Sequence, residues 1–173
     1  MATHLITPED VFRLSRNNSG QIDPREVEVY IEEAEALDIK PAIGAELYYR
    51  LLNGDGNAGD NEKLLYGGAS NENGVMCIFA GIRKALAYYV YGRIVKNGGR
   101  TATRYGFVEK RDEHSTHIEY RERLNSANDA TLVADSYMKE TLQYIVQSGL
   151  YPEYNRCDAG MINRRVTIRV IGD

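Results

Sequence analysis

Residues 72–96 read ENGVMCIFAGIRKALAYYVYGRIVK, and the structure assigned to this stretch decides the fold. Val75, Ile78, Phe79, Ile82, Leu86, Tyr89, Val90 and Ile94 recur at helical spacing, which predicts a single helix from about Glu72 to Lys96. Ala80, Gly81, Ala85 and Ala87 keep another side small, so neighbouring helices can approach it closely. This is the expected central helix. Asn97, Gly98 and Gly99 stop it.

Working outward, Thr7-Pro8-Glu9-Asp10 combines a capping hydroxyl, a proline at the first helical position and acids against the helix dipole. It predicts a short helix to about Leu14, followed by a polar turn over 15–20. Asp23-Pro24-Arg25-Glu26 repeats the start signal, and Val27, Tyr30, Ile31, Ala34 and Leu37 continue at helical spacing. Lys40-Pro41 is expected to interrupt that helix, because proline disfavours the helical conformation of the residue before it. A further helix from Pro41 to Leu52 and another from Thr131 to Ser148 are expected to flank the central one.

Residues 53–61 (NGDGNAGDN) are a loop by composition, and a short helix is expected at Glu62–Tyr66. Residues 100–112 read as a loop or short strand. Thr116–Ser148 reads as a long helix kinked or frayed near 125–129. The strongest strand signal is the alternation in residues 166–171, VTIRVI. A lone strand needs a partner for its backbone, either in residues 105–110 of the same subunit or on another molecule. The expected fold class is mainly α: a helical bundle around a central helix, with a protruding loop and a short C-terminal strand. Residues 1–154 form the expected helical domain and 155–173 an interaction tail.

The chain has 173 residues, 43% hydrophobic and 27% charged, which suits one globular domain. No apolar run approaches the roughly 18 residues of a membrane span. The opening residues MATHLITPED have no basic segment followed by an apolar one, so export by a signal peptide is not expected. Cys77 and Cys157 are far apart and are read as reduced. A net charge of -4 argues against binding nucleic acid by counterion release. The charge is uneven: acids crowd residues 23–38, and Arg156, Arg164, Arg165 and Arg169 mark the tail. Each segment alone is equally well a solvated face.

Catalytic and cofactor motifs are weak. Gly54, Gly56 and Gly59 match the dinucleotide fingerprint literally, but a helix rather than a strand precedes them. The same loop echoes a calcium-binding loop, with Ala58 in place of its glycine and Leu64 in place of its bidentate glutamate. His114 and His117 lack further ligands nearby for zinc. No nucleophile, metalloprotease or phosphate-loop motif is present. The expectation is a non-enzyme without cofactor or metal. Thirteen tyrosines against no tryptophan fit either a core edge or a subunit interface.

Pro41-Ala42-Ile43-Gly44, Leu47-Tyr48-Tyr49, Leu64-Leu65-Tyr66-Gly67, Gly81–Tyr91 and Thr103–Lys110, in that order, resemble a family of structural proteins of tailed phages. These occur in phages of gut Bacteroidetes, including crAss-like phages, and are similar in plan to head-to-tail connector (adaptor) proteins. The resemblance spans roughly residues 20–152. It implies a virion protein, assembled in the host cytoplasm, whose helical subunits form a ring, commonly of twelve copies, below the portal. Its partners would be other copies, the portal and a downstream tail protein, with DNA as non-specific cargo during ejection and no membrane. The expected interface residues are Arg104, Tyr105, Phe107, Arg164, Arg165, Val166, Ile168, Arg169 and Val170. Glu28, Glu32 and Glu35 are the expected channel-facing acids, and the net charge of -4 per subunit sums to about -48 over twelve copies. A tail-completion or head-decoration protein and a ligand-binding or enzymatic helical bundle are the alternatives.

Overall fold

Thr7 opens the first helix with a reciprocal cap. Its hydroxyl accepts from the Asp10 amide at 3.3 Å, and the Asp10 carboxylate accepts from the Thr7 amide at 3.1 Å. The helix so started, α1 (Pro8–Leu14), begins a computed structural model that describes residues 3–16, 22–72, 75–98, 100–103, 106–109 and 120–154. Asp23 caps α2 (Pro24–Ala34) by accepting from the Arg25 amide at 3.0 Å. Val27, Ile31 and Ala34 form the buried side of α2.

Lys40-Pro41 does not interrupt the chain as expected. Lys40 is helical (φ -57, ψ -42), because a π-helical turn, Glu35–Ile39, carries α2 directly into α3 (Lys40–Ile43). The wider turn bonds the Lys40 amide to the Glu35 carbonyl, so the ladder is already shifted by one residue where proline lacks its donor. The break falls at Gly44 instead, whose φ of +85 separates α3 from α4 (Ala45–Asn53). Asn57 then caps α5 (Ala58–Tyr66), which therefore starts four residues before the expected position.

The largest departure lies in residues 72–79. They are not the first turns of the central helix. Gly68–Glu72 (β1) and Val75–Phe79 (β2) pair as an antiparallel hairpin, with Gly68 opposite Phe79 and Glu72 opposite Val75. The central helix, α6, spans only Ile82–Asn97. Two glycines explain the division. Gly67 and Gly81 both have positive φ, and a Cβ on Gly81 would lie 2.3 Å from the Gly67 nitrogen. The backbones meet there too closely for any side chain, which ends α5 and starts α6 at one pinch.

Within its shorter span α6 behaves as a central helix. Ile82, Ala85, Leu86, Ala87, Tyr89, Val90, Gly92 and Ile94 are buried, on several sides of the helix. Its main neighbour is α7 (Tyr120–Ser148), with α1, α2 and α5 on other sides. The Pro41–Leu52 segment is not among its main neighbours, since the break at Gly44 redirects the chain. Gly92 faces Ala127 and Thr131 of α7, where an added Cβ would meet each at 3.2 Å. Buried Ala127, Ala130 and Ala134 continue that small-residue seam.

The α7 helix runs unbroken for 29 residues, so it does not fray at 125–129, where a kink or fraying was expected. Arg123, near its start, caps α6 by donating to the carbonyls of Val95, Lys96 and Gly98. Between α6 and α7, Arg100–Thr103 (β3) and Gly106–Glu109 (β4) pair antiparallel, so of the two readings, loop or short strand, the strand holds for these residues. After α7, Tyr151 is buried and its hydroxyl donates to the Asp60 carbonyl at 2.8 Å. Arg50 pairs with Glu153. The described chain thus closes against α4 and α5. The fold is mainly α.

Candidate partner-binding surfaces

The acids assigned from sequence to one face part company. Glu28 and Glu32 are exposed on α2, whereas Glu35, in the π-helical turn, is buried. Its carboxylate accepts from the Leu5 amide at 2.6 Å and from the Tyr48 hydroxyl at 3.1 Å, and lies 2.9 Å from the His4 Nδ1. It therefore fastens the N-terminal segment and α4 to the π-helical turn. All three acids nevertheless line one cleft of about 500 Å3 between α2 and α4, with Arg25, Lys40, Tyr48 and Tyr49. The Lys40 ammonium donates to the Tyr49 hydroxyl at 2.9 Å and lies 4.6 Å from that ring's centroid. Burial, then the neighbouring Glu35 carboxylate, pushes the Tyr48 hydroxyl above its ordinary value, so it stays a donor.

A second polar site joins α2, α6 and α7. Arg93 pairs with Asp38 at 2.7 Å and with Glu33 at 3.6 Å, while the Tyr89 hydroxyl donates to Asp135 at 2.6 Å. Burial raises the Asp38 carboxyl against the opposing pull of Arg93, and Asp135 adds to the rise. These five groups hold α2, the π-helical turn, α6 and α7 in one arrangement. Sequence spacing held no signal for the cluster, because its members come from separate elements.

The third surface is apolar. Met76 and Ile78 of β2 are 67% and 73% exposed, although Phe79 beside them is buried. Alternation along the strand separates the two sides. Leu132 and Val146 of α7 are also exposed, at 67% and 60%. Fourteen positions apart in the sequence, they fall within about 40° of each other around the helix. Leu37, at 66%, lies in the π-helical turn.

Of the residues expected at interfaces, Phe107 belongs to β4, where only its backbone pairing with Ala102 is described. Arg104, Tyr105, Arg164, Arg165, Val166, Ile168, Arg169 and Val170 lie outside the described residues, as do His114 and His117. The glycine-rich loop is a helix-to-helix turn: Gly54 is left-handed at φ +71, and Asn61 donates to the Asp55 carbonyl at 2.7 Å. Among the described residues, no three His, Cys, Asp or Glu side chains are grouped to hold a metal, and no helix is long and apolar enough to cross a membrane.

These features define a mainly α-helical protein with a buried polar scaffold and several exposed apolar surfaces. The chain belongs to a family of unknown function, DUF6712, which matches residues 39–164. That span covers α4 to α7 and everything between them. No curated protein and no solved structure matches the chain.

Proposed function

We propose that this protein is a structural subunit of a tailed-phage virion, a ring-forming head-to-tail connector that passes DNA and offers the tail an attachment platform. The observation that carries the reading is the distribution of exposed apolar side chains. Met76 and Ile78 lie on the β1–β2 hairpin, and Leu132 and Val146 lie on α7, two separate elements. A ring is closed by heterologous contacts, in which one patch of each copy meets a different patch of the next. Exposed apolar patches on distinct elements meet that requirement. The ordered segments that resemble the connector family lie on α3, α4, α5, α6 and the β3–β4 hairpin.

The exposed acids Glu28 and Glu32 suit a wall along which duplex DNA slides without sticking. Native mass measurement of the purified chain, alone and with the cognate portal protein, tests the proposal. The expected result is a closed oligomer of about twelve copies, alone or on the portal. A chain that stays monomeric under both conditions overturns it, as does tight, salt-sensitive binding of the ring to duplex DNA. A second reading, a ligand-binding helical bundle, is favoured by the cleft of about 500 Å3 between α2 and α4. A monomer that purifies with a bound metabolite would select it.

A further inference from the structure

We propose that the cleft between α2 and α4 binds an organic cation, an amine or guanidine carried on an apolar body. The inference rests on the reading of that cleft as a ligand site, and it applies equally to a monomer or a ring.

The first support is a difference among the acids of α2 and the π-helical turn. Glu26 accepts from the Tyr30 hydroxyl at 3.3 Å, and Glu33 and Asp38 pair with Arg93. Glu35 is held by Leu5, His4 and Tyr48. Glu28 and Glu32 are exposed, line the cleft, and have no hydrogen-bonding or ion-pair partner among the described residues. They stand four residues apart on α2, so their carboxylates share one side of the helix and repel each other. A cation between them relieves that repulsion and gains charge-assisted contacts to both.

The second support is that two of the three basic groups at the cleft are already engaged. The His4 ring meets Glu35, and the Lys40 ammonium donates to the Tyr49 hydroxyl and lies against its ring. Arg25, in the first turn of α2, is one positive charge against the two free carboxylates. The charge left to meet a ligand is therefore negative.

The third support is the apolar surface beside those acids. Val29 and Tyr49 are 52% and 49% exposed, and both line the cleft. Apolar surface in a concavity next to unpaired carboxylates suits a ligand with an apolar body and a cationic end. The volume of about 500 Å3 lies within the range of about 300–1,000 Å3 typical of small-molecule sites. Glu35 ties the N-terminal segment, α4 and the π-helical turn together, so the walls are joined before a ligand arrives. A π-helical turn is itself a feature that recurs at functional sites.

Amide NMR titration of the full chain tests the proposal, with phenethylamine and agmatine as cations and phenylethanol and phenylpropanoate as neutral and anionic counterparts. At least one cation should shift amides of α2 and α4, and should bind about tenfold more tightly than either counterpart. The double variant Glu28→Gln, Glu32→Gln should weaken that cation about tenfold, and because both side chains are exposed the fold should be unchanged. Glu62→Gln, at an exposed glutamate of α5 outside the cleft, should leave binding within about twofold. Cation binding that survives the double variant, or that falls equally in Glu62→Gln, overturns the proposal. Tighter binding of the alcohol or the acid overturns the cationic class while keeping the cleft as a ligand site. No binding by any of the four probes overturns both.

Discussion

Phe79, the last residue of β2, lies flat against Tyr144 of α7, with ring centroids 4.0 Å apart and planes 12° from parallel. This stack fastens the hairpin to the helical bundle. It also brings Tyr151 into the same aromatic group, so one side of α7 supports both the hairpin and the end of the described chain.

Phe79→Ala should therefore cost about 3–5 kcal/mol, the usual range for emptying a buried aromatic site. Met76→Ala, on the exposed side of the same strand, should cost well under 1 kcal/mol. Urea denaturation of both variants checks the contrast, and equal costs would mean that β2 is buried alike on both sides.

Leu86, fully buried in α6, is the test of the central helix. Its replacement by alanine should destabilise the protein by about 2–5 kcal/mol. A loss below about half a kilocalorie would remove it from the core.

Gly81→Ala should be harmful for two reasons: its φ of +82 is unfavourable for alanine, and a Cβ would collide with the Gly67 backbone. Gly54→Ala shares only the first, because at φ +71 nothing lies within 4 Å of the added carbon. Thermal unfolding should rank Gly81→Ala clearly below Gly54→Ala, whose cost should be about 1–2 kcal/mol.

Glu35→Ala should leave the Leu5 amide and the Tyr48 hydroxyl without their acceptor, at about 1–3 kcal/mol for each group that stays buried. The N-terminal segment should then become more sensitive to proteolysis than α6. Glu35→Gln keeps an acceptor oxygen and should lose less. Equal loss in the two variants would mean that charge, rather than hydrogen bonding, governs the contact.

Two aspartates should titrate in opposite directions. Burial tends to raise the Asp10 carboxyl, but hydrogen bonds from Thr7 and the charge of Arg83 outweigh it and hold the group below its ordinary 3.8. The stability it contributes is fully present above that value and is lost as the pH falls through the lower folded-state value. Asp38 is raised above 3.8, chiefly by burial, so its ionisation opposes folding and stability recovers as the pH falls through its higher folded-state value. Carboxyl carbon resonances followed by NMR from neutral to acid pH would show the two midpoints on either side of 3.8. Midpoints on the same side would contradict the electrostatics described.

Local chemistry left its mark on the sequence wherever a few adjacent residues sufficed. Thr7 and Asp23 announced helix starts through their capping side chains, and Asn97-Gly98 announced the end of α6. The small Ala85 and Ala87 and the buried Leu86 of α6 were legible from helical periodicity, and with them the mainly α class. Residues 75–79 were misread because a short apolar run satisfies helical and strand periods alike. The signal that separates them was present in Asn73-Gly74, a pair that favours a two-residue hairpin turn between Glu72 and Val75. Lys40-Pro41 misled for a different reason: a π-helical turn, which no local propensity announces, lets the helix pass the proline. The burial of Glu35, the Arg93–Asp38 pair and the meeting of Gly67 with Gly81 had no sequence signature at all. Each depends on residues far apart in the chain arriving at one point, and only the packing of helices and hairpin brings them there.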